Sequence, residues 1–202
     1  MGDYFEIKDR ILTRAGDMFL KSGYSRVTIE EIAANLGMSK KSLYKYFPSK
    51  EELVKAIISK MRYGIQDSIE GIISNSEMGY IEKLDKLMNL IRILSAKFEG
   101  PLLEDLYKNV PELWEQIIQF KDENIVQKFI QLINSGAKKG IFRKDIDHRL
   151  IVLIYLNAIK GLMNYEILAQ IPFTDDQVYE TINKVIFTGI FTEDIINKNL
   201  SK

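Results

Sequence analysis

The sequence predicts an all-α protein of nine helices, with an N-terminal three-helix domain over residues 1–48 and a helical C-terminal domain over residues 49–202. Apolar residues recur at steps of three and four through most of the chain, which is the period of one buried helical face. Helix-capping patterns recur as well, and no segment combines sustained two-residue alternation with the turn dipeptides of hairpins. With 202 residues, 46% of them apolar and 28% charged, the chain can bury a core without disulfides or metal.

The first two helices are predicted from apolar periodicity and from their ends. The first covers the periodic stretch 4–19 and ends near Gly23. Thr28 and Glu31 form a capping box, in which the threonine oxygen accepts from a helical N–H and the glutamate returns to the N–H of the cap. A second helix therefore starts at Thr28. Gly37 stands where a left-handed residue that closes this helix is expected.

The third helix is predicted to be short and the fourth to be long. Ser39 can cap the third helix, and the residue before Pro48 avoids the helical conformation, so this helix is confined to about residues 39–46. Ser49 and Glu52 form a second capping box, which opens the fourth helix. Its apolar periodicity is long enough for the helix to connect two regions of the chain.

Five further helices are predicted in the C-terminal domain, at about 80–98, 102–108, 112–137, 147–170 and 174–195. Pro101 and Pro111 stand at the starts of two of them, a position that proline favours. Thr174 and Gln177 form a third capping box. The last two helices are more apolar than one buried face requires. This leaves two interpretations, complete burial within one subunit or a face shared with a second copy.

The composition argues against catalytic and metal chemistry. The chain has no cysteine, so disulfides, thiolate zinc sites and thiol catalysis are excluded, and its one histidine is His148. Asp145 and His148 have the spacing of half a metal site, but companion ligands are missing, and we expect Asp145 to cap a helix instead. No glycine-rich phosphate loop is present, and the adjacent glutamate pairs serve capping. We therefore expect no enzyme, no metal and no cofactor.

Nothing in the sequence predicts a membrane segment or an export signal. The longest apolar run, residues 150–156, is far shorter than the roughly 20 residues that cross a bilayer. The N-terminus is acidic and interrupted, unlike a signal peptide. We expect a cytoplasmic protein with no membrane partner.

The second and third helices, joined by a tight turn at Gly37, fit a helix-turn-helix. Leu43 and Phe47 fall on the side of the third helix that faces the second helix. The opposite face is polar, small and cationic, so it can enter a major groove and bind base edges, while neighbouring hydroxyls and cations bind phosphates. The predicted DNA-binding residues are Thr28, Ser39, Lys40, Lys41, Ser42, Tyr44, Lys45, Tyr46 and Lys50.

The charge distribution supports this interpretation only modestly. Residues 1–60 contain eleven Lys and Arg against eight Asp and Glu, and the rest of the chain contains seventeen against twenty. Such an excess also fits an ordinary solvated surface, and a capped helix pair with a glycine turn also fits a plain scaffold. Whether the chain binds DNA must therefore be judged from where these charges are placed more than from how many there are.

The ordered string from Val27 to Leu53 resembles the N-terminal sequence of TetR-type transcriptional regulators. That pattern contains a threonine-led helix, an Ile-Ala pair, Gly-x-Ser, Leu-Tyr-x-His/Tyr-Phe and Ser-Lys-Glu-x-Leu, in that order. The matching residues are Thr28, Ile32, Ala33, Gly37, Ser39, Leu43, Tyr44, Tyr46, Phe47, Ser49, Lys50, Glu51 and Leu53. Lys41 departs from the pattern because the family often has glycine there. The resemblance is strong over the first 60 residues and architectural beyond them.

The resemblance implies a homodimer whose first three helices bind double-stranded operator DNA and whose other helices form a ligand-binding and dimerisation domain. Residues 140–147 resemble the entry to the first dimerisation helix of the family. In such a dimer, the third helix of each subunit is the reading helix, which contacts base edges in the major groove. The two reading helices must lie about 34–36 Å apart to meet successive major grooves. A small-molecule effector would favour a conformer in which the fourth helices hold them at the wrong spacing, and repression would be relieved.

Candidate effector contacts are aromatic side chains on the middle helices, with Asn157 as a polar partner. Each candidate also fits simple core packing. Because polar residues are scarce among them, we expect an apolar or amphiphilic effector. The candidates are Phe98, Tyr107, Trp114, Phe120, Tyr155, Asn157 and Tyr165.

Three functions follow from the sequence, in descending order. The first is a ligand-responsive DNA-binding repressor, the second a helical adaptor of the same fold that binds protein partners, and the third a carboxylate-based enzyme. Only the first predicts DNA binding that falls steeply with salt. The enzyme would require turnover that survives replacement of His148.

Overall fold

In the computed structural model, the chain is helical, which confirms the predicted all-α class. The structure describes residues 2–98, 100–193 and 195, apart from the side chains of residues 2, 3, 96–98, 165 and 187. Its α-helices are α1 (Gly2–Ser22), α2 (Ile29–Asn35), α3 (Lys40–Tyr44), α4 (Lys50–Ser74), α5 (Tyr80–Phe98), α6 (Pro101–Asn109), α7 (Pro111–Phe120), α8 (Gln127–Lys138), α9 (His148–Leu162), α10 (Tyr165–Leu168) and α11 (Asp175–Ile190). Within the described ranges, no helix has the length and apolarity that crossing a bilayer requires.

More helices are found than the nine predicted, because two predicted helices are interrupted. The helix predicted at 112–137 consists of α7 and α8 with a π-helical segment, Lys121–Val126, between them. The helix predicted at 147–170 is divided into α9 and α10 at Asn164. The Asn164 side chain accepts from the Ile167 N–H at 2.9 Å and donates to the Gly161 carbonyl at 2.8 Å. These side-chain bonds replace backbone helical bonds, so one helix ends and the next begins there.

The last helix, α11, also ends earlier than the predicted residue 195. Its final residue is Ile190, whose carbonyl accepts from the Arg143 N–H at 2.8 Å. The next residue, Phe191, forms an isolated antiparallel bridge with Phe142, and their rings stack with centroids 5.5 Å apart. Backbone pairing with a distant loop therefore replaces the next helical turn.

The chain divides into two compact units. Unit 1 contains Met1–Asp67 and Lys97–Phe120, and unit 2 contains Ser68–Ala96 and Lys121–Lys202. In unit 1 a single core joins side chains of α1, α2, α3, α6, α7 and the first part of α4. Its buried members include Ile11, Phe19, Ile32, Leu43, Leu53, Leu106 and Leu113. The predicted three-helix domain lies inside unit 1, and its boundary near residue 49 stays a prediction.

Unit 2 has its own core around α5, α8, α9 and α11. Tyr155 of α9 is fully buried, and its hydroxyl donates to the Met88 carbonyl at 2.9 Å. On the outer face of α9, in contrast, Leu150 is 58% exposed and Ile154 53% exposed. Complete burial of this helix within one subunit is therefore ruled out for the chain on its own.

Gly136 lies inside α8 at a place with no room for a side chain. A Cβ atom there would lie 2.4 Å from Cε2 of Phe142, which is fully buried, and 3.1 Å from Cδ1 of Tyr80. We expect Gly136→Ala to lower the free energy of unfolding by about 1–3 kcal/mol, the usual cost of overpacking a core. Urea unfolding followed by circular dichroism measures this change.

Gly71→Ala, on α4 in the same unit, is the matched control because a Cβ atom there meets nothing within 4 Å. It should raise the free energy of unfolding by about 0.5–1 kcal/mol, since alanine favours a helix more than glycine does. Equal responses of the two variants would contradict the crowding at Gly136.

Candidate nucleic-acid interface

The connection between α2 and α3 has helix-turn-helix geometry, with each helix capped at its start. The Thr28 hydroxyl oxygen accepts from the Glu31 N–H at 3.2 Å, and the Glu31 carboxylate accepts from the Thr28 N–H at 2.7 Å. Gly37 has a φ of +67°, in the left-handed region that glycine adopts without strain. The Ser39 hydroxyl then accepts from the Ser42 N–H at 3.0 Å and caps α3. The predicted capping box and the predicted glycine turn are both confirmed.

The apolar side of α3 anchors it to unit 1, and its opposite side faces solvent. Leu43 is 0% exposed and Phe47 is 3% exposed. Lys41, Tyr44 and Lys45 lie on the exposed side. The anchoring pair thus turns a polar and cationic surface outward, as the sequence predicted.

Lys40 is also exposed, but its ammonium group is engaged within the protein. It forms an ion pair with Glu30 and lies 5.7 Å from the ring centroid of Tyr44. The hydrogen bond within the ion pair lowers the pKa of the Glu30 carboxyl and raises the pKa of the Lys40 ammonium. Because exposed ion pairs contribute little, the pair can open at small cost. Lys40 can therefore bind a phosphate in place of Glu30 when DNA is present.

The predicted DNA-binding hydroxyls also serve the ends of their own helices. The Thr28 hydroxyl donates to the Glu31 carboxylate at 2.9 Å, and the hydroxyl oxygens of Ser39 and Ser42 lie 2.9 Å apart. Removing a capping hydroxyl costs about 0.5–2 kcal/mol of helix stability. Replacement of Thr28 or Ser39 would therefore change the scaffold as well as any DNA contact.

Lys50, the first residue of α4, faces the protein rather than open solvent. Its Nζ atom donates to the Ser25 carbonyl at 3.4 Å and lies 4.5 Å from the ring centroid of Tyr24. Burial lowers the pKa of the Lys50 ammonium, and the nearby charge of Asp105 opposes this change. In this conformation Lys50 anchors the loop between α1 and α2.

Lys50 belongs to a polar network that the sequence did not reveal. Asp105 on α6 accepts from the Ser25 hydroxyl at 2.8 Å and from the Asn109 amide at 2.6 Å. Burial raises the pKa of the Asp105 carboxyl, but hydrogen bonds from Ser25 and Asn109 outweigh it and leave the pKa lowered. Ser25 and Asp105 are 80 residues apart in the chain. No local pattern could have indicated this contact.

Tyr46, two residues beyond the end of α3, lies against α1. Its ring stacks on the Tyr4 ring with centroids 5.0 Å apart and planes 27° from parallel. On the next turn of α1, the Lys8 ammonium lies 5.4 Å from the ring centroid of Phe47. The start of α1 therefore flanks the C-terminal end of α3. The apolar periodicity of the sequence predicted α1, but it did not predict that the start of α1 lies beside Tyr46 and Phe47.

Of the three candidate effector contacts in unit 1, Tyr107 and Trp114 contact each other. Tyr107 and Trp114 form an edge-on ring pair with centroids 5.5 Å apart, and Tyr107 is 62% exposed. Phe120 is buried beneath the Arg62 guanidinium, 4.9 Å from its ring centroid. These contacts account for the aromatic residues as packing. Their role in effector binding stays a prediction.

In unit 2 the candidates Tyr155 and Asn157 point to different environments. Tyr155 is buried, whereas Asn157 is exposed and donates to the Leu153 carbonyl of its own helix at 2.8 Å. The side chains of the remaining candidates, Phe98 and Tyr165, lie outside the described residues. Within unit 2, Tyr155 and Asn157 therefore do not share one environment.

His148 and Asp145 have structural partners rather than a metal geometry. The His148 Nδ1 atom lies 2.6 Å from Asn134 Oδ1, and its Nε2 atom lies 2.7 Å from the Arg143 carbonyl oxygen. The prediction that Asp145 caps the next helix is wrong. Asp145 bonds the Arg143 guanidinium at 2.6 Å, which lowers the pKa of its carboxyl to about 2, and Asp147 caps α9. The described residues contain no group of three or more potential metal ligands.

Known proteins match this chain both over its N-terminal helices and over most of its length. The family model described as "Bacterial regulatory proteins, tetR family" matches residues 11–57. The HTH-type transcriptional regulator YvaF of Bacillus subtilis is 26% identical over 185 residues, which cover 92% of this chain and 96% of that protein. The HTH-type transcriptional regulator YerO of the same species is 31% identical over 210 residues, which cover 95% of this chain and 71% of that protein.

The fold is also shared with a solved structure. A TetR transcriptional regulator from Chloroflexus aurantiacus superposes with a TM-score of 0.72 at 21% identity, covering 93% of this chain and 96% of that one. The likeness therefore includes the helices that follow the helix-turn-helix.

Proposed function

The chain belongs to the TetR family of helix-turn-helix transcriptional regulators, and from this premise we propose that it is a homodimeric repressor released from operator DNA by a small molecule. The matched proteins are transcriptional regulators, so the chain is a regulator and not an enzyme. The dimer, the direction of regulation and the effector are the parts that we propose. We also propose a cytoplasmic location, because a protein that binds operator DNA must lie in the same compartment as that DNA.

The observation that carries DNA binding is the exposed cationic side of α3. Lys41 and Lys45 lie in solvent beside Tyr44, which is 39% exposed, while Leu43 is fully buried beneath them. A helix held in this way can enter a major groove about 12 Å wide, where lysines bind guanine edges or phosphates. The proposed contacts remain those named from the sequence, with Lys40 and Lys50 contributing after release from Glu30 and Ser25.

DNA binding is tested by measuring affinity for the chain's own upstream DNA at several salt concentrations. Each phosphate contact contributes about 0.9 to the slope of log affinity against log salt concentration. We expect the double variant Lys41→Gln, Lys45→Gln to reduce this slope by up to about 2 and to weaken binding at every salt concentration. Fluorescence anisotropy with labelled duplex gives both quantities.

A matched control removes two exposed lysines from unit 2, as Lys138→Gln with Lys144→Gln. This variant should retain the wild-type slope and affinity. DNA binding that is insensitive to salt, or an equal loss in both double variants, would reject α3 as the reading helix.

The outer surface of α9 and α11 supports a homodimer. On α9, the buried face contains Val152, Tyr155 and Ile159, and the opposite face contains Leu150, Ile154, Asn157 and Gly161. On α11, Val185 is 66% exposed. Exposed aliphatic side chains on two helices that pack against each other favour association. A second copy would cover them in an isologous four-helix arrangement.

The interior of unit 2 supports an amphiphilic effector. Three polar side chains lie in its mainly apolar core: Tyr155, Tyr179 and Asn183 are all at most 9% exposed. A molecule with an apolar body and one polar group would find partners for both there. Such a molecule would favour a conformer in which the reading helices have the wrong spacing. The loss of operator affinity would be limited by how much more tightly the effector binds that conformer than the other.

Effector binding is tested with alkyl amphiphiles of neutral, anionic and cationic head group. An effector should raise the melting temperature of the free protein and release it from labelled operator at the same concentration. A reporter gene behind the same operator should then rise in expression, as expected for a repressor.

A further inference from the structure

The first turns of α1 carry aromatic surface that the protein leaves open beside the proposed interface. Tyr4 stacks on Tyr46 and meets Phe5 edge-on with ring centroids 5.9 Å apart. Tyr4 is nevertheless 47% exposed and Phe5 is 65% exposed. Packing on Tyr46 accounts for one face of the Tyr4 ring, and about half of the residue remains accessible.

Lys8 adds a cation to the same side of α1. Residues four apart share a helical face, so Lys8 lies one turn from Tyr4 and next to Phe47. Glu6 lies about 160° around the helix from Lys8 at 3.6 residues per turn. Asp9 is occupied by Lys60, with 2.5 Å between Asp9 Oδ1 and Lys60 Nζ. Of the acidic side chains that the structure describes in these turns, Glu6 and Asp9 therefore leave the charge of Lys8 available at this edge.

A helix in a major groove has a sugar–phosphate strand on either side of it. Tyr46 lies just beyond the C-terminal end of α3, so the strand on that side passes the surface formed by Tyr4 and Lys8. We infer that the Tyr4 hydroxyl and the Lys8 ammonium bind phosphates of this strand, which makes the start of α1 a further DNA-contacting element. The inference rests on the proposed function because it requires α3 to bind DNA.

The test uses Lys8→Gln and Tyr4→Phe in the full-length chain, with the salt dependence of binding to its own upstream duplex. Lys8→Gln should reduce the slope of log affinity against log salt concentration by about 0.9. Tyr4→Phe keeps the stacked ring and removes one hydrogen bond, so affinity should fall about threefold to tenfold. Because backbone contacts do not read sequence, an unrelated duplex of equal length should show the same changes.

Lys21→Gln is the matched control, since it removes an exposed charge from the other end of the same helix, about 20 Å away at 1.5 Å per residue. Its slope should equal that of the wild type. Unchanged slope in Lys8→Gln together with unchanged affinity in Tyr4→Phe would overturn the inference while leaving the proposed function in place. Weakening by Tyr4→Ala alone would also overturn it, because Tyr4 would then only position Tyr46. A wild-type chain that binds no duplex would overturn both.

Discussion

Replacing Ile154 and Val185 together by aspartate is expected to produce a monomer whose operator affinity is lower by about 100-fold or more. The two side chains are 53% and 66% exposed on α9 and α11. In an isologous interface each variant position occurs twice, so four carboxylates would be buried without partners. Sedimentation equilibrium should show a particle of 23.4 kDa instead of twice that mass.

The loss of DNA affinity follows from bivalent binding. In a dimer, the first reading helix to bind holds the second near its half-site at a high effective concentration. The two helices must lie about 34–36 Å apart to meet successive major grooves. A monomer retains the contacts of one half-site only, so the variant should still bind duplex weakly and with a smaller salt slope.

Ile93→Asp is the matched control for this variant. Ile93 is 45% exposed, lies in unit 2 and belongs to α5. The control should remain dimeric and bind operator as the wild type does. A dimer that survives both aspartates at α9 and α11 would place the interface elsewhere on the chain.

Leu43→Ala is expected to lower the free energy of unfolding by about 2–5 kcal/mol and to abolish specific DNA binding. Leu43 is 0% exposed, in the core of unit 1. With only five residues, α3 cannot maintain itself in water and depends on this anchor and Phe47 for its orientation. Denaturant unfolding and anisotropy with labelled operator measure the two effects.

Tyr44→Ala, on the same helix, separates stability from recognition. Tyr44 is 39% exposed and lies on the side of α3 away from the core. This control should weaken DNA binding while changing the free energy of unfolding far less than Leu43→Ala does. If instead Leu43→Ala retained full stability and affinity, α3 would not depend on the packing described for it.

The parts of the interface that sequence reasoning predicted depend on local relations. The capping box of Thr28 and Glu31 spans three residues, and the turn requires one glycine at position 37. The burial of Leu43 follows from helical periodicity combined with the position of α2. Each of these features depends on neighbours within about two helical turns, so the amino-acid order is sufficient to specify it.

By itself, then, the sequence determined the all-α class, the starts of the first helices and the outward cationic side of α3. The tertiary structure decided how individual side chains are used: Lys50 anchors a loop, Asp105 binds Ser25, and Tyr4 supports Tyr46. It also ended α11 through the pairing of Phe191 with a distant loop. The physical reason is that helix starts and faces depend on bonds and spacings within a few residues. The partners of a surface side chain depend on which helices pack together, and local periodicity does not contain that information.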